Sequence, residues 1–201
     1  MSIRLNVASG IAVAATLLGA LGLAGWLTPY SGLVKLTQDS IPMAPSSALL
    51  VLLLGVTLIR EARRRSTRST VTASWIGLVL SALQLGLFVG GFPPVLDAFL
   101  VPSPEPFGVY LTGRMSPWMA LGLVVSNLSL LFVSLGLLSL GRSRRHRGFD
   151  NAGVVLASVV TLFGLVVVLG YLFDAPLLYG SRVVPMAFGS ALALVCLALA
   201  V

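Results

Sequence analysis

Side chains that carry chemistry are scarce in this chain. Its one cysteine, Cys196, has no partner for an internal disulfide, and its one histidine, His146, stands in the basic run Arg142 to Arg147 as a solvated loop residue. No Cys/His grouping has metal-ligand spacing, so neither a zinc centre nor a Cys–His nucleophile is indicated. Acidic residues number six in 201: Asp39, Asp97, Glu105 and Asp174 fall in loops, and Glu61 and Asp150 border apolar runs. No ionisable side chain lies near the middle of any apolar run. That absence argues against proton relays and ion-coupled transport, which need such groups inside the membrane despite their cost. It also removes the acid–base constellation of a membrane-embedded enzyme. No catalytic residue, metal or cofactor is assigned.

What is abundant is apolar. Hydrophobic residues make up 57% of the chain and charged residues 9%, against about 25% charged in soluble domains, and the mean hydropathy is +1.03. Between charged side chains lie six intervals, 5–34, 40–59, 69–96, 115–141, 151–173 and 183–201. A spanning helix needs about 20 mostly apolar residues, so each interval is long enough to cross once. Backbone polar groups must be satisfied within the segment in hydrocarbon, and barrel-type alternation is absent. The expectation is an all-α integral membrane protein of six transmembrane helices, a single membrane domain over residues 1–201. The first run, with Arg4 before it and Gly22-Leu23-Ala24 within it, imitates a signal peptide but exceeds the usual h-region and is read as a retained span.

Basic residues set the orientation. With a cytoplasmic amino terminus, Arg4, the Arg60–Arg68 group and the Arg142–Arg147 group place ten cations inside, against Lys35, Arg114 and Arg182 outside. This positive-inside asymmetry predicts both termini in the cytoplasm. It also accounts for the net charge of +7 through topology and anionic lipid, so the bilayer is the expected partner and nucleic acid is not. Trp26, Trp118, Tyr30, Tyr110, Tyr171 and Tyr179 are expected in an outer aromatic belt and Trp75 in an inner one.

One phrase recurs three times. Met43-Ala44-Pro45-Ser46-Ser47-Ala48-Leu49, Met115-Ser116-Pro117-Trp118-Met119-Ala120-Leu121 and Met186-Ala187-Phe188-Gly189-Ser190-Ala191-Leu192 are 72 and 71 residues apart, each leading into a leucine-rich run. Such spacing predicts a triplicated unit, namely three repeated αα-hairpins at about residues 5–60, 70–141 and 151–201. Each unit has an outward helix, an external loop and a returning helix. Pro45 and Pro117 suit a first helical turn, and Ser116 suits a cap. The loop from Gly90 to Pro117, rich in proline, is expected to be a capped surface loop or lid.

Seven residues are candidates for sensing or for packing. Gln84 and Asn127 are polar within spans and fall at similar depths, so they are expected to bridge the third and fourth helices or to line a small pocket. Gly86 and Gly90, in a GxxxG arrangement, would allow the close approach. Met43, Met115 and Met186 stand at the outer ends of the returning helices. Three converging thioethers suit Cu(I), but no histidine accompanies them, and gap-filling beside proline is the plainer reading. Arg114 and Arg182 precede returning helices, either to receive an anionic ligand or to snorkel to the interface.

The run Pro42 to Leu49 followed by Val51-Leu52-Leu53-Leu54-Gly55, with Asp174-Ala175-Pro176-Leu177-Leu178-Tyr179-Gly180 and Val184-Pro185-Met186-Ala187, resembles the six-span amino-terminal region of bacterial sensor proteins. There the region precedes cytoplasmic PAS, histidine-kinase or diguanylate-cyclase modules. The MHYT sensors are a related idea, but Ala44, Ser116 and Ala187 stand where histidine would follow each methionine. The resemblance implies an input domain in the bacterial inner membrane that relays an outer-face or bilayer signal and dimerises through its output module. A small transporter or channel is the alternative. The last span also lacks the basic anchor that follows the earlier returning helices, which predicts a continuation beyond Val201 into a basic segment and an output module.

Overall fold

The computed structural model describes residues 2–27, 41–63, 67–92, 95–100, 106–107, 110–111, 113–138, 146–173 and 184–201. Helices dominate: α1 is Ser2–Leu27, α2 Pro45–Ala62, α3 Thr67–Val89, α4 Val95–Leu100, α5 Pro117–Leu138, α6 His146–Leu172 and α7 Phe188–Leu199. Two two-residue strands, β1 Pro106–Phe107 and β2 Tyr110–Leu111, pair antiparallel in the segment between α4 and α5.

Helix boundaries follow local chemistry. Proline opens α2 and α5, where its missing N–H would have no intrahelical partner. Ala44 before α2 and Ala187 before α7 are extended in nearly identical conformations, φ −64° with ψ 146° and φ −63° with ψ 145°. At the far end of α3, Gly91 takes φ +72°, which lets Phe92 N–H reach Leu87 O at 2.8 Å and Gly91 N–H reach Phe88 O at 3.0 Å. This is the Schellman ending that glycine permits without a Cβ penalty.

Five helices, α1, α2, α3, α5 and α6, are long and apolar enough to cross a membrane. The sixth expected span is shorter: residues 184–187 are extended, and the apolar helix α7 covers 12 residues, about 18 Å. The helices form a closed ring. In order, α1 packs on α2, α2 on α3, α3 on α5, α5 on α6, α6 on α7, and α7 returns to α1. Inside it α2, α5 and α7 also touch one another. Their central position is visible in burial: the spans of α2 and α5 are 56% buried, against 22% for α1, 22% for α3 and 33% for α6.

The solvent this surface suits is lipid. Along α3, Thr70, Ser74, Gly77, Ser81 and Gln84 are buried at spacings of four and three, whereas Trp75, Ile76, Val79 and Leu83 are each at least half exposed. On α6 the exposed face carries Val154, Val155, Val159, Leu162 and Val166. Small and polar residues inside with large apolar residues outside would be costly in water. In hydrocarbon the exposed face has no penalty and the small residues let backbones approach. These are the features of a multi-pass membrane protein.

Close approach occurs at glycines other than the expected pair. A side chain at Gly86 would meet nothing within 4 Å, and one at Gly90 would meet only Phe92 and its own helix. Gly86 is exposed, on the face of α3 turned away from the ring. The closest approaches to a neighbouring helix's backbone are instead at Gly19, whose added Cβ would stand 2.9 Å from Ala48 O, and at Gly153, 2.9 Å from Ser129 O. They bring α1 onto α2 and α6 onto α5, where Ser129 Oγ also donates to Gly153 O at 2.7 Å.

Candidate functional site

The starts of the three inner helices converge at one end of the bundle. In each, the intrahelical ladder begins at the same place in the methionine phrase: Ala48 N–H donates to Ala44 O, Ala120 to Ser116 O and Ala191 to Ala187 O, all at 3.0 Å. Between these starts lies a small open recess of about 200 Å³ with its mouth included. Its lining follows the phrase register. The residue before each methionine contributes Pro42, Arg114 and Pro185, the residue after it Ala44, Ser116 and Ala187, and the fourth residue on Ser47, Met119 and Ser190. Ile41 completes the wall.

The methionines themselves do not line this recess. Met43, Met115 and Met186 are 3%, 7% and 1% exposed and belong to the apolar core. Met43 Sδ lies against Gly22 of α1, where an added Cβ would stand 3.1 Å from it, so this thioether fills the gap between α1 and α2. Among the described residues no group of three or more His, Cys, Asp or Glu has a metal-holding arrangement.

Each methionine backbone is held by a side chain from 15 to 18 residues upstream. Trp26 Nε1 donates to Met43 O at 2.8 Å, and Tyr171 OH donates to Met186 O at 2.7 Å. In the middle phrase the polarity reverses: Met115 N–H donates to Asp97 Oδ2 at 2.7 Å. Asp97, on α4, also accepts from Ser46 N–H through Oδ1 at 3.2 Å. The α2 start has no side-chain cap of its own and no acidic residue in its first turn. Asp97 supplies the missing acceptor and a negative charge at the positive end of the helix dipole. Burial, at 2% exposure, pushes the Asp97 carboxyl above the usual carboxylate range. The nearby Ser46 hydroxyl, the two N–H donors and Arg114 pull it partly back. The Ser46 hydroxyl stands beside the carboxylate without making a hydrogen bond of good geometry.

Two hydroxyls near the recess are orphaned. Ser116 Oγ, in a residue 5% exposed, has no hydrogen-bond partner and so does not cap α5, and Ser46 Oγ is in the same condition. A buried hydroxyl without a partner costs about 1–3 kcal/mol. Arg114 is exposed at the rim. It follows Gly113, whose φ of +79° turns the chain toward α5 in a region that favours glycine. Arg182 lies outside the described residues, as do Tyr30 and Tyr179.

Gln84 and Asn127 are both buried but are not brought to the recess or to each other. Asn127 Nδ2 donates to Leu123 O of its own helix at 2.8 Å, and its carboxamide faces Gly77 of α3. Gly77 precedes Gln84 by seven residues, about 10 Å along the helix. Gln84 Nε2 has no hydrogen-bond partner. The bridge expected from equal depths fails because the α3 seam offers Gly77 as the hole into which Asn127 fits.

The upstream staples are what sequence reasoning missed. Trp26 and Tyr171 read as belt residues and Asp97 as a loop acid; the one trace they leave in the sequence is that they precede their methionines by similar but unequal distances, 17, 15 and 18 residues. No protein-family model matches this chain, and neither does any curated protein or solved structure.

Proposed function

We propose that this chain is the membrane-embedded input domain of a bacterial signalling protein, built from three hairpin repeats and seated in the inner membrane with its methionine end outward. The observation that carries this reading is the recess itself, lined by equivalent positions of all three phrases and ending on an apolar interior. Directly beyond it the inner helices contribute Val51, Leu54, Leu123, Leu194 and Leu197, all 3% exposed or less. A filled core beneath an outer recess suits a receptor whose occupant shifts helices relative to one another, and it is unlike the polar path a channel requires. Gln84 and Asn127, the polar residues that would mark such a path, belong to the α3–α5 seam. A ligand or membrane condition biases the packing of the ring, and the displacement passes to a cytoplasmic kinase or cyclase module that dimerises.

Two measurements test this. Reporters inserted after Ser69 or Arg147 are expected to behave as cytoplasmic, and reporters at Gln38, Pro104 or Gly180 as external; a cytoplasmic position 104 overturns the orientation. With the chain joined to a diguanylate-cyclase output, Arg114→Ala and Ser116→Leu are expected to change cyclase output. Liposomes holding the chain should show solute flux no greater than empty ones. Unchanged output together with specific flux favours a transporter.

A further inference from the structure

The recess has a surplus of hydrogen-bond donors and of positive charge. Because the ladders begin at Ala48, Ala120 and Ala191, the N–H groups of Ser47, Met119 and Ser190, which line the recess, have no acceptor within their own helices. Each helix start also carries a partial positive charge of roughly half a unit. No acidic residue stands in the first turn of α2, α5 or α7. Asp97 answers the α2 start from behind, is 2% exposed and does not line the recess. Asp97 also takes the Met115 N–H ahead of α5, but among the described residues no acidic side chain lines the recess. Arg114 adds a full charge at the rim. An independent sign is Ser116, a lining residue 5% exposed whose buried hydroxyl has no hydrogen-bond partner.

We propose that this recess binds an oxyanion group, a carboxylate or a phosphate, with Arg114 pairing its charge and the Ser116 hydroxyl donating to one oxygen. The first-turn N–H groups of α5 and α7 face the same oxygen cluster. The inner part of the recess admits about one water-sized group, so a single terminal oxygen enters and the rest of the ligand stays at the rim. The ligand is either a small soluble anion or the headgroup of an anionic lipid. This assignment rests on the recess being the receptive site proposed above, but binding is measured without any output module, so the two readings fail separately.

The full chain is purified into phosphatidylcholine nanodiscs and titrated with inorganic phosphate and with acetate at constant ionic strength set by chloride, following thermal unfolding and tryptophan fluorescence. A soluble ligand predicts saturable stabilisation by one of the two. Binding is lost in Arg114→Gln and weakened about tenfold or more in Ser116→Ala. Ser116→Ala removes a buried unpaired hydroxyl, so without anion it is expected to be at least as stable as the wild type, which separates a binding role from a structural one. A lipid headgroup predicts instead that phosphatidylglycerol nanodiscs stabilise the chain relative to phosphatidylcholine, and that Arg114→Gln abolishes the difference. The proposal is overturned if neither arm gives an effect that depends on Arg114, or if Ser116→Ala binds as tightly as the wild type.

Discussion

Replacing Asp97 tests the packing logic of the methionine end. Its two carboxylate oxygens serve two backbone donors from different parts of the chain, Ser46 N–H at 3.2 Å and Met115 N–H at 2.7 Å. Asp97→Ala leaves both without this acceptor, at about 1–3 kcal/mol each, and removes a favourable dipole interaction of about 0.3–1 kcal/mol. Against this stands relief from burying a carboxyl group, so the net loss is expected near 2–4 kcal/mol. Asp97→Asn keeps one acceptor and turns an NH2 group toward the other donor, for a loss of about 1–3 kcal/mol. Unfolding in mixed micelles, followed by circular dichroism and tryptophan fluorescence, gives both values. Because burial raises the carboxyl pKa, the folded chain holds this proton more tightly than the unfolded one. The wild type's margin over Asp97→Asn is therefore widest below the unfolded value of 3.8 and narrows as pH rises through the raised pKa, leaving above it only what the carboxylate's bonds to the two N–H groups contribute. An Asp97→Ala variant within about 0.5 kcal/mol of the wild type, the range of neutral surface changes, refutes the capping role. A wild-type advantage that grows with pH refutes the account of the carboxyl's environment.

Gly19→Val forces a side chain against Ala48 O and Leu52 N, at 2.9 and 3.0 Å from its Cβ; α1 must move off α2, and a loss of about 1–3 kcal/mol in the same unfolding assay is expected. Tyr171→Phe deletes the hydroxyl that reaches Met186 O at 2.7 Å, for a loss of about 0.5–1.5 kcal/mol, while Tyr171 keeps its edge-on contact with Phe188 at a 5.6 Å ring separation through the retained ring. Gln84→Leu exchanges a buried carboxamide whose nitrogen has no partner for an apolar side chain of similar size, so stability is expected to hold or rise. A clear loss there would show that Gln84 makes a bond in the folded protein.

The repeated phrase was legible because it is local: proline, small residues and a leucine run specify a helix start wherever they occur, and the three starts do converge. The inner and outer roles of the helices were not legible from hydropathy, since in lipid both faces of a span are apolar enough to be buried or exposed. A finer signal existed on α3, where Thr70, Ser74, Gly77, Ser81 and Gln84 repeat at a period of 3.5 and mark the buried seam. Reading Gln84 alone suggested a partner at equal depth; the whole stripe would have pointed to Gly77 as the place where α5 comes close. Asp97 was out of reach for a different reason. Its bond to Ser46 spans 51 residues, and nothing in its neighbourhood distinguishes it from a solvated loop acid. Likewise the GxxxG spacing of Gly86 and Gly90 is a property of one helix, whereas close approach depends on which face a neighbour covers.

Closure of the ring imposes an order on biogenesis. The first described helix, α1, packs against the seventh, α7, so this neighbour enters the bilayer only after the intervening helices have been synthesised. Until then lipid, or a chaperone of the insertion machinery, must cover the side of α1 that α7 later takes. The α2 start waits as well: its Ser46 N–H receives its carboxylate only when residue 97 has reached the same side of the membrane. The pair α1–α2 can therefore insert early yet reach its final geometry late, and a ribosome stalled between α2 and α4 would leave a hairpin that is embedded but incompletely tied.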